Sequence, residues 1–160
     1  MIILVMGVSG SGKTTIGTKL AESLGWQFRD ADDFHPPENI EKMRQGIPLD
    51  DADRLPWLQK MQNLIKQCLS ENTNLVLTCS ALKESYRQML LINKEFIQLV
   101  YLKGSFELIE KRLKERRNHF MTEKLLKSQF ENLEEPDNAI TVDISESLET
   151  IVQEIQANLR

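Results

Sequence analysis

One short segment near the start of the chain constrains the fold more than any other. Residues 7–14 have the sequence GVSGSGKT, which fits the pattern GxxxxGK[ST]. An apolar run, Ile2–Met6, comes directly before the segment, and residues 15–24, which follow it, have helical spacing. Backbone amides at such a turn converge on an anion at the start of the helix. The segment therefore predicts a phosphate-binding loop between a buried strand and a helix.

The rest of the chain alternates short apolar runs with amphipathic stretches, which indicates an α/β fold with helices on both faces of a parallel sheet. We predict five strands, at residues 2–6, 27–29, 75–79, 97–102 and 140–144. We predict core-facing helices after Pro56, over residues 106–117 with Ser105 as N-cap, and over residues 148–159. The predicted architecture is a three-layer fold around one five-stranded sheet.

Composition limits the classes of protein that need to be considered. The chain has 160 residues, the size of one domain, and 24 acidic against 20 basic side chains give a net charge of −4. This balance argues against nucleic acid as a partner. Cys68 and Cys79 belong to no Cys/His cluster, so we expect buried thiols rather than a metal site or a disulfide. No apolar stretch approaches the roughly 20 residues of a membrane span, so we expect a cytoplasmic protein with no membrane partner.

Two groups of residues carry the chemistry that the loop predicts. In the loop, Lys13 is expected to reach the β- and γ-phosphate oxygens of a nucleotide, and the Thr14 hydroxyl to bind Mg²⁺. Asp30 and Asp32 follow the second predicted strand, at the sheet edge where α/β folds bind ligands. One carboxylate can support the Mg²⁺ shell while the other orients or deprotonates an acceptor hydroxyl. The alternative is a solvated acidic turn that caps the next helix.

Other functions of phosphate-binding loops lack their signatures in this chain. A GTPase needs a DxxG segment and an NKxD guanine reader, but DxxG is absent and residues 93–96, NKEF, lack the aspartate. A motor-type ATPase usually ends a core strand in acidic residues. The strand Leu75–Cys79 instead continues into residues 80–83, SALK. The pattern favours phosphoryl transfer to an acceptor over hydrolysis.

Several further segments, in order and at matching spacing, resemble the gluconokinases over roughly residues 3–145. They are DADDFHP (30–36), NIEKM (39–43), GIPL (46–49), DRLPWL (53–58), CSALK (79–83), YR (86–87), YLKG (101–104), RLKER (112–116), HF (119–120), QF (129–130), LE (133–134) and Pro136. The chain departs from the family in two places. Asp50 stands where many relatives carry threonine, and the stretch after Pro136 is somewhat short.

The resemblance implies a shikimate-kinase-like enzyme of the nucleoside monophosphate kinase group, with a short lid. Such an enzyme uses ATP and Mg²⁺ to phosphorylate D-gluconate at its 6-hydroxyl, and the resemblance also suggests a homodimer. A kinase of another small acid such as shikimate is the alternative, and it predicts a glycine-rich turn after the third strand. A binding module without turnover would predict a broken catalytic set, yet the expected residues are all present.

The implied roles fall on residues in four groups. The catalytic group is Lys13, Asp30, Asp32 and Arg116, with the order of the two aspartates left open. The nucleotide group is Gly7, Ser9, Gly10, Ser11, Gly12, Lys13, Thr14, Thr15, Arg112 and Arg116. The substrate group is Asp32, His35, Lys42, Arg54, Ser80, Lys83 and Arg87. The metal group is Thr14 and Asp30.

Within these groups, Arg54 is the best anchor for a carboxylate, because guanidinium binds carboxylate through two parallel hydrogen bonds. Arg112 and Arg116 lie one turn apart on a predicted helix face and can reach the phosphates, although they can equally form a solvated charged face. We expect the substrate region at about residues 30–60 and the lid at about residues 114–123 of a single domain.

Overall fold

The computed structural model describes residues 1–115 and 123–160, with the side chain of Glu123 outside the description. Its centre is a five-stranded sheet in which every neighbouring pair is parallel. The strands are β1 (Ile2–Met6), β2 (Gln27–Asp30), β3 (Leu75–Cys79), β4 (Ile97–Lys103) and β5 (Ile140–Asp143). Their order across the sheet is β2-β3-β1-β4-β5. The predicted class and the five predicted strands are confirmed, and no strand end differs by more than one residue.

Helices cover both faces of the sheet among the described residues. They are α1 (Lys13–Leu24), α2 (Pro37–Arg44), α3 (Asp51–Ser70), α4 (Glu84–Leu90), α5 (Phe106–Glu115), α6 (Glu123–Asn132) and α7 (Leu148–Asn158), with a 3₁₀ turn at Ala31–Phe34. Side chains of β1 alternate between two apolar clusters, as the pleat of a strand requires. Leu4 packs in the cluster that contains Met61 of α3, and Val5 packs in the cluster that contains Ile151 of α7. One cluster lies between the sheet and the helices on each face, which gives three layers: helices, sheet and helices.

Two glycines fix the phosphate loop against the sheet. Gly12 has a φ of 93°, in the left-handed region that glycine adopts without strain, and α1 begins at the next residue. In α1, a Cβ at Gly17 would lie 2.5 Å from Cγ2 of Thr78, closer than two carbon atoms can approach. Glycine at this position therefore lets the helix lie directly on β3, with the loop above the carboxyl end of β1.

Helix α3 begins earlier than its sequence pattern suggested. We predicted a start near Pro56, whereas the helix begins at Asp51. The Asp50 carboxylate accepts a hydrogen bond from the Asp53 N–H (2.7 Å), and the Asp53 carboxylate accepts one from the Asp50 N–H (3.0 Å). This capping box starts the helix five residues before the proline. Arg54 therefore lies within α3 and not ahead of it, and Asp50 performs a capping role that threonine can also fill.

Two smaller predictions, the N-cap of α5 and the two buried thiols, are also confirmed. The Ser105 hydroxyl accepts a hydrogen bond from the Leu108 N–H at 3.1 Å, so it caps the start of α5. Cys68 and Cys79 are both buried free thiols, and burial raises the pKa of Cys79 to about 12. Among the helices of the described residues, none is both long and apolar enough to cross a membrane.

Candidate active site

A cleft of about 220 Å³ lies at the carboxyl end of the sheet, where the chemistry of a parallel α/β fold is expected. On one side it is lined by residues of the phosphate loop and α1, namely Ser9, Gly10, Gly12, Lys13 and Thr14. On the other side it is lined by four residues that were predicted to contact the acceptor, namely Asp32, His35, Arg54 and Ser80. The fold thus brings predicted nucleotide and acceptor residues into one space.

The Lys13 side chain folds back over the phosphate loop. Its ammonium donates to the carbonyl oxygens of Gly7 (2.9 Å) and Val8 (3.1 Å). The Thr14 hydroxyl donates to Oδ2 of Asp30 at 2.9 Å, which joins the loop to the end of β2. A hydroxyl and a carboxylate oxygen at this distance are the hard ligands that Mg²⁺ prefers.

The other predicted nucleotide residues differ in their surroundings. Ser11, within the loop, is fully buried, and a Cβ at Gly7 would lie 2.6 Å from the hydroxyl oxygen of Ser11. Thr15 is exposed on α1. The guanidinium of Arg112 donates to the carbonyl oxygen of Ile144 at 2.7 Å, at the loop that follows β5. Arg116 and residues 116–122 of the predicted lid lie outside the described residues.

The acidic turn after β2 contains one carboxylate that caps the turn, Asp30, and one that lines the cleft, Asp32. Oδ1 of Asp30 accepts a hydrogen bond from the Asp32 N–H at 2.9 Å, so Asp30 does cap the 3₁₀ turn, as the solvated-turn alternative requires. Asp32 lines the cleft and is exposed to solvent, although neighbouring protein atoms partly desolvate its carboxylate. This partial desolvation raises the pKa of Asp32, while the positive charge of Lys13 opposes the rise.

His35 forms an aromatic wall of the cleft with Trp57. The two rings stack with centroids 4.3 Å apart and an angle of 12° between their planes. The Trp57 indole donates to the Ala31 carbonyl at 2.7 Å, and the Asn39 amide lies 3.2 Å from Nδ1 of His35. Burial, with the nearby Arg54 guanidinium, lowers the pKa of His35 to about 4, so the imidazole is neutral at physiological pH.

Arg54 is held in place by a chain of hydrogen bonds. Its Nη1 donates to the Tyr86 hydroxyl at 2.9 Å, and the Tyr86 hydroxyl donates to the Asp51 carboxylate. The Lys83 ammonium also pairs with Asp51, at 3.1 Å. The hydrogen bond from Tyr86, followed by that from Lys83, lowers the pKa of Asp51. The network holds the guanidinium through Nη1, and the other N–H groups of Arg54 donate no hydrogen bond within residues 1–115 and 123–160.

Three residues of the predicted substrate group lie outside the lining of the cleft. Lys42 pairs with Asp53 at 2.8 Å, and Lys83 pairs with Asp51. Arg87 is almost completely buried. Its guanidinium donates to the backbone carbonyl oxygens of Ala81 (2.9 Å), Leu82 (3.1 Å) and Glu134 (2.7 Å). Arg87 therefore supports the loop after β3 from behind the cleft.

Two polar residues that line the cleft and form hydrogen bonds with predicted site residues were missing from the predicted site. They are Tyr86, which holds Arg54, and Gln129 of α6, whose Oε1 accepts a hydrogen bond from the Ser9 N–H at 2.7 Å. Both lie in segments that resemble the gluconokinases. Neither carries a charge, whereas many of the residues expected to bind phosphate or carboxylate, such as the adjacent Arg87, are charged.

Comparisons with known proteins identify relatives of the chain. The family model for shikimate kinase matches residues 9–160. A probable gluconokinase from Xenopus tropicalis is 44% identical, over 99% of this chain and 93% of its own length. The crystal structure of a gluconokinase from Sinorhizobium meliloti 1021 superposes with a TM-score of 0.87 at 43% identity, over 97% of this chain and 89% of that one.

The fold extends to more distant kinases. The crystal structure of shikimate kinase from Aquifex aeolicus superposes with a TM-score of 0.59 at 22% identity, over 98% of this chain and 94% of that one. This likeness concerns the fold alone. The family model and the identities to the nearer relatives, over almost their full length, establish that the chain belongs to the gluconokinase family of P-loop kinases.

Proposed function

We propose that this chain transfers the γ-phosphate of ATP to the 6-hydroxyl of D-gluconate, giving 6-phospho-D-gluconate and ADP. The observation that carries the proposal is the single cleft shared by the phosphate loop and by Asp32, His35 and Arg54. The relatives that the chain resembles over nearly its whole length are named gluconokinases. A kinase of shikimate is not favoured, because that alternative predicts a glycine-rich turn where Ser80 follows β3.

On the nucleotide side, the amides of the loop and the Lys13 ammonium would bind the β- and γ-phosphates. Lys13 now contacts the Gly7 and Val8 carbonyls, so it must turn towards the phosphates when ATP binds. Thr14 and Asp30 would hold Mg²⁺, since their oxygens already lie 2.9 Å apart. The bound ion would neutralise charge on the phosphate oxygens. Arg112 and Arg116 remain candidates for contacts with the nucleotide.

On the acceptor side, Asp32 is the residue that we assign to the 6-hydroxyl. The hydroxyl oxygen forms a bond to the γ-phosphorus, the bond from phosphorus to the bridging oxygen of ADP breaks, and the proton passes to Asp32. A raised pKa makes the carboxylate of Asp32 a better proton acceptor. Asp30 is less suited to this role, because both of its oxygens are engaged by Thr14 and by the Asp32 N–H.

The remainder of the acceptor site suits a polyhydroxy acid. Arg54 would bind the carboxylate with the N–H groups that Tyr86 does not use. The neutral imidazole of His35 and the hydroxyl of Ser80 supply uncharged hydrogen-bonding groups for the sugar hydroxyls. We also propose that the protein acts in the cytoplasm, where ATP is available, and that it forms the homodimer which the family resemblance suggests.

The test is ADP release by the purified protein with Mg-ATP, with D-gluconate, shikimate or AMP as acceptor and a control without acceptor. Turnover that depends on gluconate would support both the reaction and the substrate. Turnover with another acceptor alone would retain the kinase mechanism and reject gluconate. Turnover independent of any acceptor, or none at all, would reject the proposed reaction.

A further inference from the structure

Gln129 connects the phosphate loop to a helix far away in the sequence. Its Oε1 accepts a hydrogen bond from the backbone N–H of Ser9, a residue 120 positions earlier, at 2.7 Å. The backbone N–H can only donate, so it determines which way the carboxamide is turned. The oxygen of the side chain faces the loop, and the NH₂ group is left for other partners.

The position of Gln129 places that NH₂ group near the expected chemistry. Gln129 and Ser9 both line the cleft, together with Lys13 of the loop and Asp32 of the acceptor side. A phosphoryl group in transfer must lie between the loop, which holds the β-phosphate, and the acceptor hydroxyl. Gln129 borders the space that this group has to cross. Within residues 1–115 and 123–160, its NH₂ group donates no hydrogen bond to protein.

The charge of the transferring group explains why a carboxamide suits this position. In a loose transition state, negative charge spreads over the three equatorial oxygens of the phosphoryl group. A preorganised N–H donor stabilises such charge, and it needs no reorganisation during the reaction if its own acceptor is already fixed. The Ser9 amide fixes it here, because the carboxamide cannot rotate without breaking a hydrogen bond of 2.7 Å.

From these contacts we infer that Gln129 has two roles in catalysis: its oxygen holds the Ser9 amide of the phosphate loop, and its NH₂ group donates to the γ-phosphoryl group during transfer. The inference rests on the proposed function and deepens it. It places a second, neutral donor beside the cationic side chain of Lys13. This donor comes from α6, a helix that the sequence did not predict to be part of the site.

Two substitutions separate these roles. Gln129→Glu keeps an acceptor for the Ser9 N–H and replaces the NH₂ donor with a carboxylate oxygen, so it removes the second role and adds a negative charge beside the γ-phosphoryl group. Gln129→Met keeps the length of the side chain and removes both. Gln153→Glu, at an exposed position on α7, is the matched control for the change of amide to carboxylate.

We expect Gln129→Glu to lower kcat by about 100-fold, the loss typical of one preorganised donor, with little change in the KM for gluconate. Calorimetry should show affinity for a non-hydrolysable ATP analogue falling at least about tenfold, and affinity for ADP staying within about threefold, because ADP lacks the γ-phosphate. The control should match the wild type in all of these quantities.

Three results would overturn the inference. One is a Gln129→Glu variant with kcat and analogue affinity close to wild type, which would leave Gln129 as an anchor of the loop only. Another is an equal loss of affinity for ADP and the analogue, which would place the effect at the β-phosphate. A third is a loss of affinity for ADP alone. If the wild type shows no turnover with gluconate, the proposed function fails, while the two nucleotide affinities still decide the role of Gln129.

Discussion

His35 lies between an aromatic ring and a guanidinium, and this position should make the stability of the protein depend on pH. In the folded chain its pKa is about 4, whereas an unfolded histidine takes up its proton near pH 6.5. Between these values the unfolded state binds more protons than the folded state, so the free energy of unfolding falls as the pH falls. The loss from this one group is at most about 1.4 kcal/mol per pH unit.

Urea unfolding at a series of pH values from 7.5 to 4.5 tests this prediction. The wild type should lose more stability across the range than His35→Gln, which has no group that titrates there. Equal slopes for the two proteins would contradict the assigned cause, because the remaining carboxylates titrate in both.

Arg54 should matter to the acid substrate and not to the nucleotide. We expect Arg54→Ala to raise the KM for gluconate by about 100-fold or more, since it removes a charge-assisted contact, and to change the KM for ATP little. Tyr86→Phe removes only the hydroxyl that holds Arg54, so it should raise the KM for gluconate by a smaller factor. Steady-state kinetics with each substrate varied in turn measures both. A larger effect on the KM for ATP would move Arg54 to the nucleotide side.

At this scale, charge identifies some of the residues on the cleft from sequence alone, but the charged Lys42, Lys83 and Arg87 lie outside its lining. Lys13, Asp32 and Arg54 lie on the cleft as expected. Tyr86 and Gln129 were not predicted, because their roles depend on distant partners. Tyr86 contacts a residue 32 positions earlier in the chain, and Gln129 contacts one 120 positions earlier. Only the folded chain brings those partners together.

Helix α3 shows how capping can outweigh a proline signal. Pro56 suggested the first turn of a helix, but the reciprocal hydrogen bonds of Asp50 and Asp53 start the helix at Asp51. The pattern of an acidic N-cap followed three residues later by a second carboxylate was present in the sequence. Strand positions were easier to predict, because buried parallel strands form continuous apolar runs between helices.

The N-cap of α3 gives a prediction at the level of the element. Asp50→Ala should reduce the free energy of unfolding by about 1 kcal/mol, because the N–H of Asp53 loses its acceptor. Asp50→Thr restores a capping oxygen and should recover most of that loss. Denaturant unfolding of the three proteins under one set of conditions measures both changes. An alanine variant as stable as the wild type would show that solvent satisfies the N–H group equally well.

Across the whole molecule, the side chain of Lys13 is separable from the core. The two apolar clusters lie on opposite faces of the sheet, Lys13 belongs to neither of them, and its ammonium donates to the carbonyl oxygens of Gly7 and Val8 in its own loop. The sequence predicted the number of strands and the presence of helices on both faces of the sheet. The order of strands was not readable from local patterns, because it depends on which segments pair after long crossovers.

Lys13→Ala therefore should separate folding from activity. We expect gluconate-dependent turnover to fall by at least about 1,000-fold, since the variant lacks the cation that stabilises the transferring phosphoryl group. Its thermal unfolding should remain a single cooperative transition near the midpoint of the wild type. Turnover close to normal in this variant would remove the argument from the phosphate loop, while a non-cooperative transition would show that the Lys13 side chain also supports the core.

The central place of β1 in the sheet also bears on how the protein is made. The ribosome produces β1 first, but Leu4 pairs with Leu77 of β3 and with Leu99 of β4, which are synthesised much later. Until both strands have emerged, the most apolar segment of the nascent chain has no neighbours, and residues 7–14 have no platform to shape them. Nucleotide affinity should therefore arise late in synthesis, so a stalled or truncated chain would depend on chaperones and could not be rescued by ATP as a ligand.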